Sequence, residues 1–179
     1  MGFKINKKIN MKISSDKPIQ IVRSTGLGMG KFSQALKILK PDLLIILGDR
    51  YEALSIASAC LFMQVPIGHI HGGEVTVGSI DDSIRHSISK MSWWHFVATT
   101  QYRKRVIQLG ENPKRIFLVG GMGVDTIKKT KLLKKKNLEK KLKFKFGKRN
   151  LLITFHPITN ETGNNEKQIK EILQALLEL

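Results

Sequence analysis

The apolar positions of the chain fall into short unbroken runs separated by helical stretches. Leu43-Leu44-Ile45-Ile46-Leu47 ends in Gly48-Asp49-Arg50, and Val65-Pro66-Ile67-Gly68-His69-Ile70 ends in His71-Gly72-Gly73-Glu74. Continuous runs of this length, closed by glycine and charge, predict strands covered on both faces. Tyr51 to Met63, rich in Ala, Leu and Ile, predicts the helix between them. Strand, helix and strand make a βαβ unit, whose right-handed crossover sets the strands parallel. Ser79-Ile80-Asp81-Asp82 opens a helix through about Met91, with acids where a positive helix N-terminus favours them. His95–Thr99 predicts a short strand, Gln101–Leu109 a helix ended by Gly110, and Arg115–Gly121 a strand with a glycine exit. The expected fold is α/β with a parallel sheet.

Residues 1–24 are harder to read. The alternation Phe3, Ile5, Ile9, Met11, Ile13 suits either an edge strand or a frayed tail. Thr25-Gly26-Leu27-Gly28-Met29-Gly30-Lys31 predicts a glycine loop leading into a helix from Phe32 to Leu39. As a phosphate loop it lacks the Walker spacing, a Ser or Thr after Lys31, and a clear preceding strand, so a flexible helix entry is expected. Lys128 to Lys148 is mostly Lys with Leu and Phe and reads as a solvated helical linker. Residues 150–157 predict a new strand, followed by a polar loop and a helix from about Asn165. The domain reading is therefore a partial N-terminal Rossmann-like domain over 1–127, a basic linker over 128–149, and the first strand and helix of a truncated second domain over 150–179.

Composition narrows the class. Of 179 residues, 41% are hydrophobic and 25% charged, as in soluble globular proteins. No apolar run approaches the ~20 residues of a membrane span. The first residues lack the apolar core of a secretory signal, and Met1-Gly2 opens a myristoylation pattern that fits poorly. Cytoplasm is the expected compartment. Cys60 is the only cysteine, which excludes a disulfide framework; it lies in an apolar helical run and reads as a buried, inert thiol. The net charge of +17 points to an anionic partner. Nucleic acid is not the expected one, because the lysines are dispersed and neither an aromatic RNA-binding signature nor a Cys/His finger is present.

The candidate chemistry lies at the strand ends. In open parallel sheets ligands bind outside the carboxyl ends of the strands. Gly48-Asp49-Arg50, His71-Gly72-Gly73-Glu74 and Gly120-Gly121 fall there, and His156 ends the strand of the second domain. Arg50 offers a fixed fork of donors to a diphosphate. Gly72 and Gly73 let a ligand approach the backbone. Asp49, Glu74 and Asp81 are available for proton transfer, and crowding in a closed site would raise some of their pKa values. Asp81 or Asp82 also suits a plain helix cap. His69, His71, Glu74, Asp81 and His86 include metal-ligand types, but there is no HExxH, and an acid/base cluster is the preferred reading. His69 and His71 are expected to share one strand face, so both are buried or both line the cleft.

Five segments in order carry a family resemblance: Gly48–Glu52, His69–Glu74, Asp81–Lys90, Gln108–Glu111 and Phe155–Thr159. Together they resemble the hydrolysing UDP-N-acetylglucosamine 2-epimerases of sialic acid and related nonulosonic acid synthesis. The resemblance runs from about Gly26 to the C-terminus. It implies two Rossmann-like domains of the GT-B type with the nucleotide sugar in the cleft. It also implies elimination of UDP across C1–C2 of the sugar, followed by addition of water, to give N-acetylmannosamine or a diacetamido analogue plus UDP. No cofactor and no metal is implied. By motif match, Asp49 and Asp81 would be acid/base carboxylates, and Arg50 and His156 would contact UDP. Glu74, Arg85 and His86 would line the sugar side.

Two departures stand out. Many members carry Glu at the position of His71, where the imidazole, with a pKa near neutrality, would shuttle the proton. The segment Val75–Ile80 is one residue longer than the family pattern. The resemblance covers the middle of the enzyme, without the opening strand and glycine/arginine loop or the Ser-Ser-Gly uridine-diphosphate motif, so weak or no turnover is expected of the chain alone. The expected partner is UDP-N-acetylglucosamine or a UDP-diacetamido sugar, in a homo-oligomer or with a complementary chain. The alternative readings are a non-catalytic remnant or interaction module and, below it, a basic nucleic-acid-binding protein.

Overall fold

A computed structural model of the chain describes residues 4–12, 15, 17–156 and 164–178. Phe3, Ile13, Met1-Gly2, the polar loop and residues 157–159 of the last motif lie outside the described residues. The chain divides into two units, Met1–Gly121 and Met122–Leu179.

The first unit is a βα alternation. Helix α1 (Pro18–Leu39) leads to β1 (Leu44–Leu47), α2 (Tyr51–Phe62), β2 (Ile67–Ile70), α3 (Ile80–Met91), β3 (Trp94–Val97), α4 (Thr100–Gln108) and, after a 3₁₀ turn at Pro113–Arg115, β4 (Ile116–Leu118). The four strands are parallel in the order β1-β2-β3-β4, as the sequence predicts. Ile46 registers with His69 and His69 with His95, so their side chains share a face. That face is buried. Leu36 of α1, Ala57 and Cys60 of α2, and Ile84 and Ile88 of α3 close over Ile46 and Ile67. Val106 of α4 does the same for Val97 and Ile116. Cys60 is fully buried, and burial pushes its thiol up to about 11, which leaves it inert at neutral pH.

The opposite face corrects an expectation. β1 is not covered on both sides: Ile45 is 50% and Leu47 57% exposed, and Phe117 on β4 is 43% exposed. The helices of this unit that contact the sheet pack against the other face, so the apolar run of β1 marks a strand with one dressed side.

A second correction concerns the N-terminal region. The predicted glycine loop is the interior of the 22-residue α1, which starts from Pro18, a residue suited to a first helical position, and ends at Lys40 in a left-handed conformation before Pro41. Glycines cost a helix about 1 kcal/mol each. Close packing offsets that cost at Gly28, where a Cβ would stand 2.6 Å from Met11 Cε and 3.1 Å from Ser55 Oγ of α2. Ser55 Oγ donates to Thr25 O at 3.0 Å and ties the two helices together. Residues 4–12 form no strand, and Met11 is buried.

In the second unit α5 (Met122–Lys129), α6 (Lys135–Leu142) and α7 (Asn165–Leu177) are helical. The strand predicted at 150–157 is absent over the described 151–156, where Leu152 is 97% exposed. A strand needs a neighbour to take its backbone hydrogen bonds, and no strand is described in this unit. Among the described residues no helix is long and apolar enough to cross a membrane.

Candidate active site

The carboxyl ends of β1 and β2 bring the two sequence-predicted segments side by side. Leu47 registers with Ile70, so Gly48 follows next to His71. Gly48 leaves the strand at φ +92°. His71 itself sits at φ +66°, a conformation uncommon for a residue with a Cβ and one met at functional sites. Its amide donates to Phe96 O at 2.9 Å, which anchors the turn to β3. This turn breaks the strand alternation. His69 is fully buried while the His71 side chain is 26% exposed, so the expectation that the two share one environment is wrong.

Arg85 is the centre of the site. The residue is 4% exposed, and its guanidinium reaches four partners from one position on α3. It pairs with Asp49 Oδ2, and it donates to Asp82 Oδ1 at 3.3 Å, Thr76 Oγ1 at 2.9 Å and the Glu74 carbonyl at 3.0 Å. The planar fork suits this multiple engagement. Asp82 in turn accepts from Thr76 N at 2.8 Å and faces His86 Nε2 at 3.5 Å. Glu74 Oε1 lies 2.6 Å from His71 Nδ1.

Asp82, which the sequence offers only as a helix cap, is the acid of α3 that joins this network. Ser79 caps α3 by accepting from Asp81 N, and the Asp81 carboxylate makes no hydrogen bond among the described residues. The i,i+3 and i,i+4 spacing of Asp82 to Arg85 and His86 was the available signal. Arg50 is exposed and paired with Glu52 at 3.3 Å. Gly73 turns at φ +79° under the Tyr102 carbonyl and gives its own carbonyl to Arg105. His156 belongs to the second unit and is exposed. Thr76 and Ser89 carry no sequence signal, because hydroxyls do not announce themselves by spacing, and His69, offered by the sequence only as a metal-ligand type or a strand-face residue, serves neither a metal nor the cleft.

His69 is not available to a metal. Nε2 lies 3.0 Å from Gly48 O and Nδ1 3.1 Å from Ser89 Oγ. Burial pushes this imidazole down to about 4 from its ordinary 6.5, against the opposing pull of the Gly48 carbonyl. Burial likewise lowers His95, whose neighbour Glu111 opposes the shift. Glu111, part of the fourth sequence motif, is buried with Lys90 Nζ at 2.5 Å and His95 Nε2 at 3.3 Å. Glu111 precedes β4 and Lys90 precedes β3, so this cluster braces the amino ends of the strands, away from the site.

A group whose folded pKa is depressed binds its proton in the unfolded state first. The stability that neutral His69 contributes is complete above pH 6.5 and is lost as pH falls from 6.5 towards 4. The expected loss is about 3 kcal/mol between pH 7 and pH 4, with His95 adding in the same direction. Denaturant unfolding at the two pH values measures it, and His69→Gln removes the His69 share.

A parallel α/β sheet with charged groups gathered at its carboxyl edge presents them where open sheets of this kind bind ligands. The family model for UDP-N-acetylglucosamine 2-epimerase matches residues 1–179, and the chain belongs to that family. It is 51% identical over 174 residues to the GDP/UDP-N,N'-diacetylbacillosamine 2-epimerase (hydrolyzing) of Campylobacter jejuni, covering 97% of this chain and 45% of the relative. It is 38% identical to polysialic acid biosynthesis protein P7 of Escherichia coli, covering 98% and 44%. Against the UDP-N,N'-diacetylbacillosamine 2-epimerase (hydrolyzing) of Legionella pneumophila the identity is 32%, covering 98% and 46%. The chain thus spans less than half the length of these relatives. Among solved structures, the UDP-GlcNAc 2-epimerase of Methanocaldococcus jannaschii superposes with a TM-score of 0.61 over 93% of this chain and 46% of that one, at 19% identity. That of Neisseria meningitidis, bound to UDP-GlcNAc, gives 0.58 over 71% and 36%, at 20% identity. The fold is the Rossmann-like sheet of these GT-B enzymes.

Proposed function

We propose that this chain carries the acid/base half of the site of a hydrolysing UDP-sugar 2-epimerase acting on a UDP-2-acetamido sugar, with a UDP-2,4-diacetamido sugar as the preferred substrate. The observation that carries this reading is the 51% identity to a relative named for that activity, across 97% of the chain. The geometry supplies a mechanism. A base removes the C2 proton while the C1–O bond breaks and UDP departs with the bonding electrons, leaving a 2-acetamidoglucal. Water then adds, its oxygen to C1 and a proton to C2.

Glu74 accepts the Nδ1 proton of His71, which leaves Nε2 as a lone pair for proton transfer in the place where many relatives carry Glu. Asp49 and Asp81 are the second proton-transfer candidates. Asp49 is held by Arg85, and Asp81 stands free at the start of α3. Arg50, exposed at the end of β1, is assigned to the diphosphate, and Gly72, Gly73, Arg85 and His86 to the rest of the substrate. His156 is assigned to UDP from the second unit. Nonulosonic acid synthesis is the pathway that fits such a product, and cytoplasm the compartment that fits such a substrate.

A chimera tests the assignment: this chain replaces the aligned segment of the Campylobacter relative, and UDP release from UDP-N,N'-diacetylbacillosamine and UDP-N-acetylglucosamine is followed. Release within about tenfold of the parent is expected, and Asp49→Asn is expected to lower it by roughly 10²–10⁴. A folded chimera without UDP release would overturn the reading. The 179-residue chain alone is expected to turn over weakly or not at all.

A further inference from the structure

We propose that His69 and Ser89 are positioning residues that hold the end of β1, and with it Asp49, in place for proton transfer; the catalytic meaning rests on the role of Asp49 proposed above. The sheet itself holds this point weakly. Gly48 N meets Ile70 O only at 3.5 Å, and Gly48 has φ +92° with nothing within 4 Å of where a Cβ would stand. The firm contact is from His69 Nε2 to the Gly48 carbonyl at 3.0 Å.

A carbonyl only accepts, so Nε2 carries the proton. Nδ1 is then a lone pair, and Ser89 Oγ–H donates to it at 3.1 Å. The ring is fully buried, and burial keeps it neutral at physiological pH, which preserves this tautomer. Gly72 completes the fit: a Cβ there would stand 3.0 Å from Ser89 Oγ and 3.2 Å from His69 Nδ1.

Ser89 lies one helical turn after Arg85 on α3, so one helix face holds the Gly48-Asp49 turn twice. Arg85 takes the carboxylate of Asp49 directly. Ser89, through His69, takes the peptide carbonyl immediately before it. A carboxylate that must meet a C–H bond within a fraction of an ångström gains from this double restraint.

The test uses side chains that each reproduce one nitrogen. Gln places its amide nitrogen near His Nε2, whereas Asn reaches only the Nδ1 position. In the 179-residue chain, nitrogen chemical shifts of His69 are expected to report the neutral Nε2–H tautomer. His69→Gln is expected to leave the Gly48, Asp49 and Arg50 amide signals and the slowly exchanging Arg85 guanidinium protons close to those of the parent. His69→Asn is expected to shift those signals and speed that exchange at least tenfold. Ser89→Ala, which removes one hydroxyl, is expected to populate the Nδ1–H tautomer and covers the case in which a His69 variant fails to fold. In the chimera, His69→Asn is expected to lower kcat at least tenfold with KM within twofold, and His69→Gln to recover most of the loss. An Nδ1–H tautomer in the parent, or equal effects of Gln and Asn on both signals and kcat, would overturn the proposal. A chimera that releases no UDP counts against the function alone, because the spectroscopic arm still judges the positioning.

Discussion

Arg85→Ala is expected to destabilise the first unit by about 3 kcal/mol and, on the function proposed above, to abolish sugar-nucleotide binding. The side chain is almost fully buried and pairs with Asp49 and Asp82, whose side chains are 24% and 29% exposed. Removing the cation leaves two carboxylates facing each other across the space it filled, and strips Thr76 Oγ1 and the Glu74 carbonyl of their donor. Breaking a buried pair from one side costs about 3–5 kcal/mol. Partial access of water to both carboxylates places this case at the lower end. Arg85→Lys keeps the charge but has no planar fork to span four acceptors, so it is expected to recover less than half of the stability. Denaturant unfolding together with titration by UDP-N-acetylglucosamine measures both effects.

Gly73→Ala is expected to cost about 3–5 kcal/mol, near the limit of what a domain of this size tolerates. Two terms add. The φ of +79° imposes roughly 1–2 kcal/mol on any residue with a Cβ. The Cβ would also overlap the Tyr102 carbonyl oxygen and stand 2.8 Å from Val106 Cγ2, both on the helix that seals Val97 and Ile116. Neither can yield without lifting α4 from the sheet. Gly48→Ala is the control, since φ is +92° but the space is empty; it is expected to cost only about 1 kcal/mol. Thermal unfolding of the two variants separates backbone strain from steric overlap.

The βα order from Leu43 to Val119 was legible because its apolar runs are short, its helices alternate with them, and glycine or charge closes each run. The long α1 was not. Three glycines in five residues argue locally for a loop, and the packing that favours the helix, Gly28 against Met11 and Ser55, comes from residues distant in sequence. The strand expected near Leu151 failed for the converse reason: an apolar run states a preference, and a ladder needs a second strand.

At the site, Asp49, His71 and Glu74 were readable as residue types at strand ends, and Arg85 only through the family resemblance. That Arg85 pairs with Asp49 and Asp82 was not readable, because Asp49 lies 36 residues away on another element. The difference between His69 and His71 depended on a positive φ at His71, which no side-chain pattern encodes.

The undressed side of the sheet makes the first unit a body with two unlike surfaces. One is closed by helices, and the other offers Ile45, Leu47 and Phe117 to solvent beside β1, the edge strand among the described residues. Such an edge is a template on which further strands add. Whether two copies approach is then a colloidal matter, governed by a net charge of +17 that acts over a Debye length of about 8 Å at physiological salt. Lysines scattered over the chain, uninformative about chemistry, oppose such an approach, and added salt screens them.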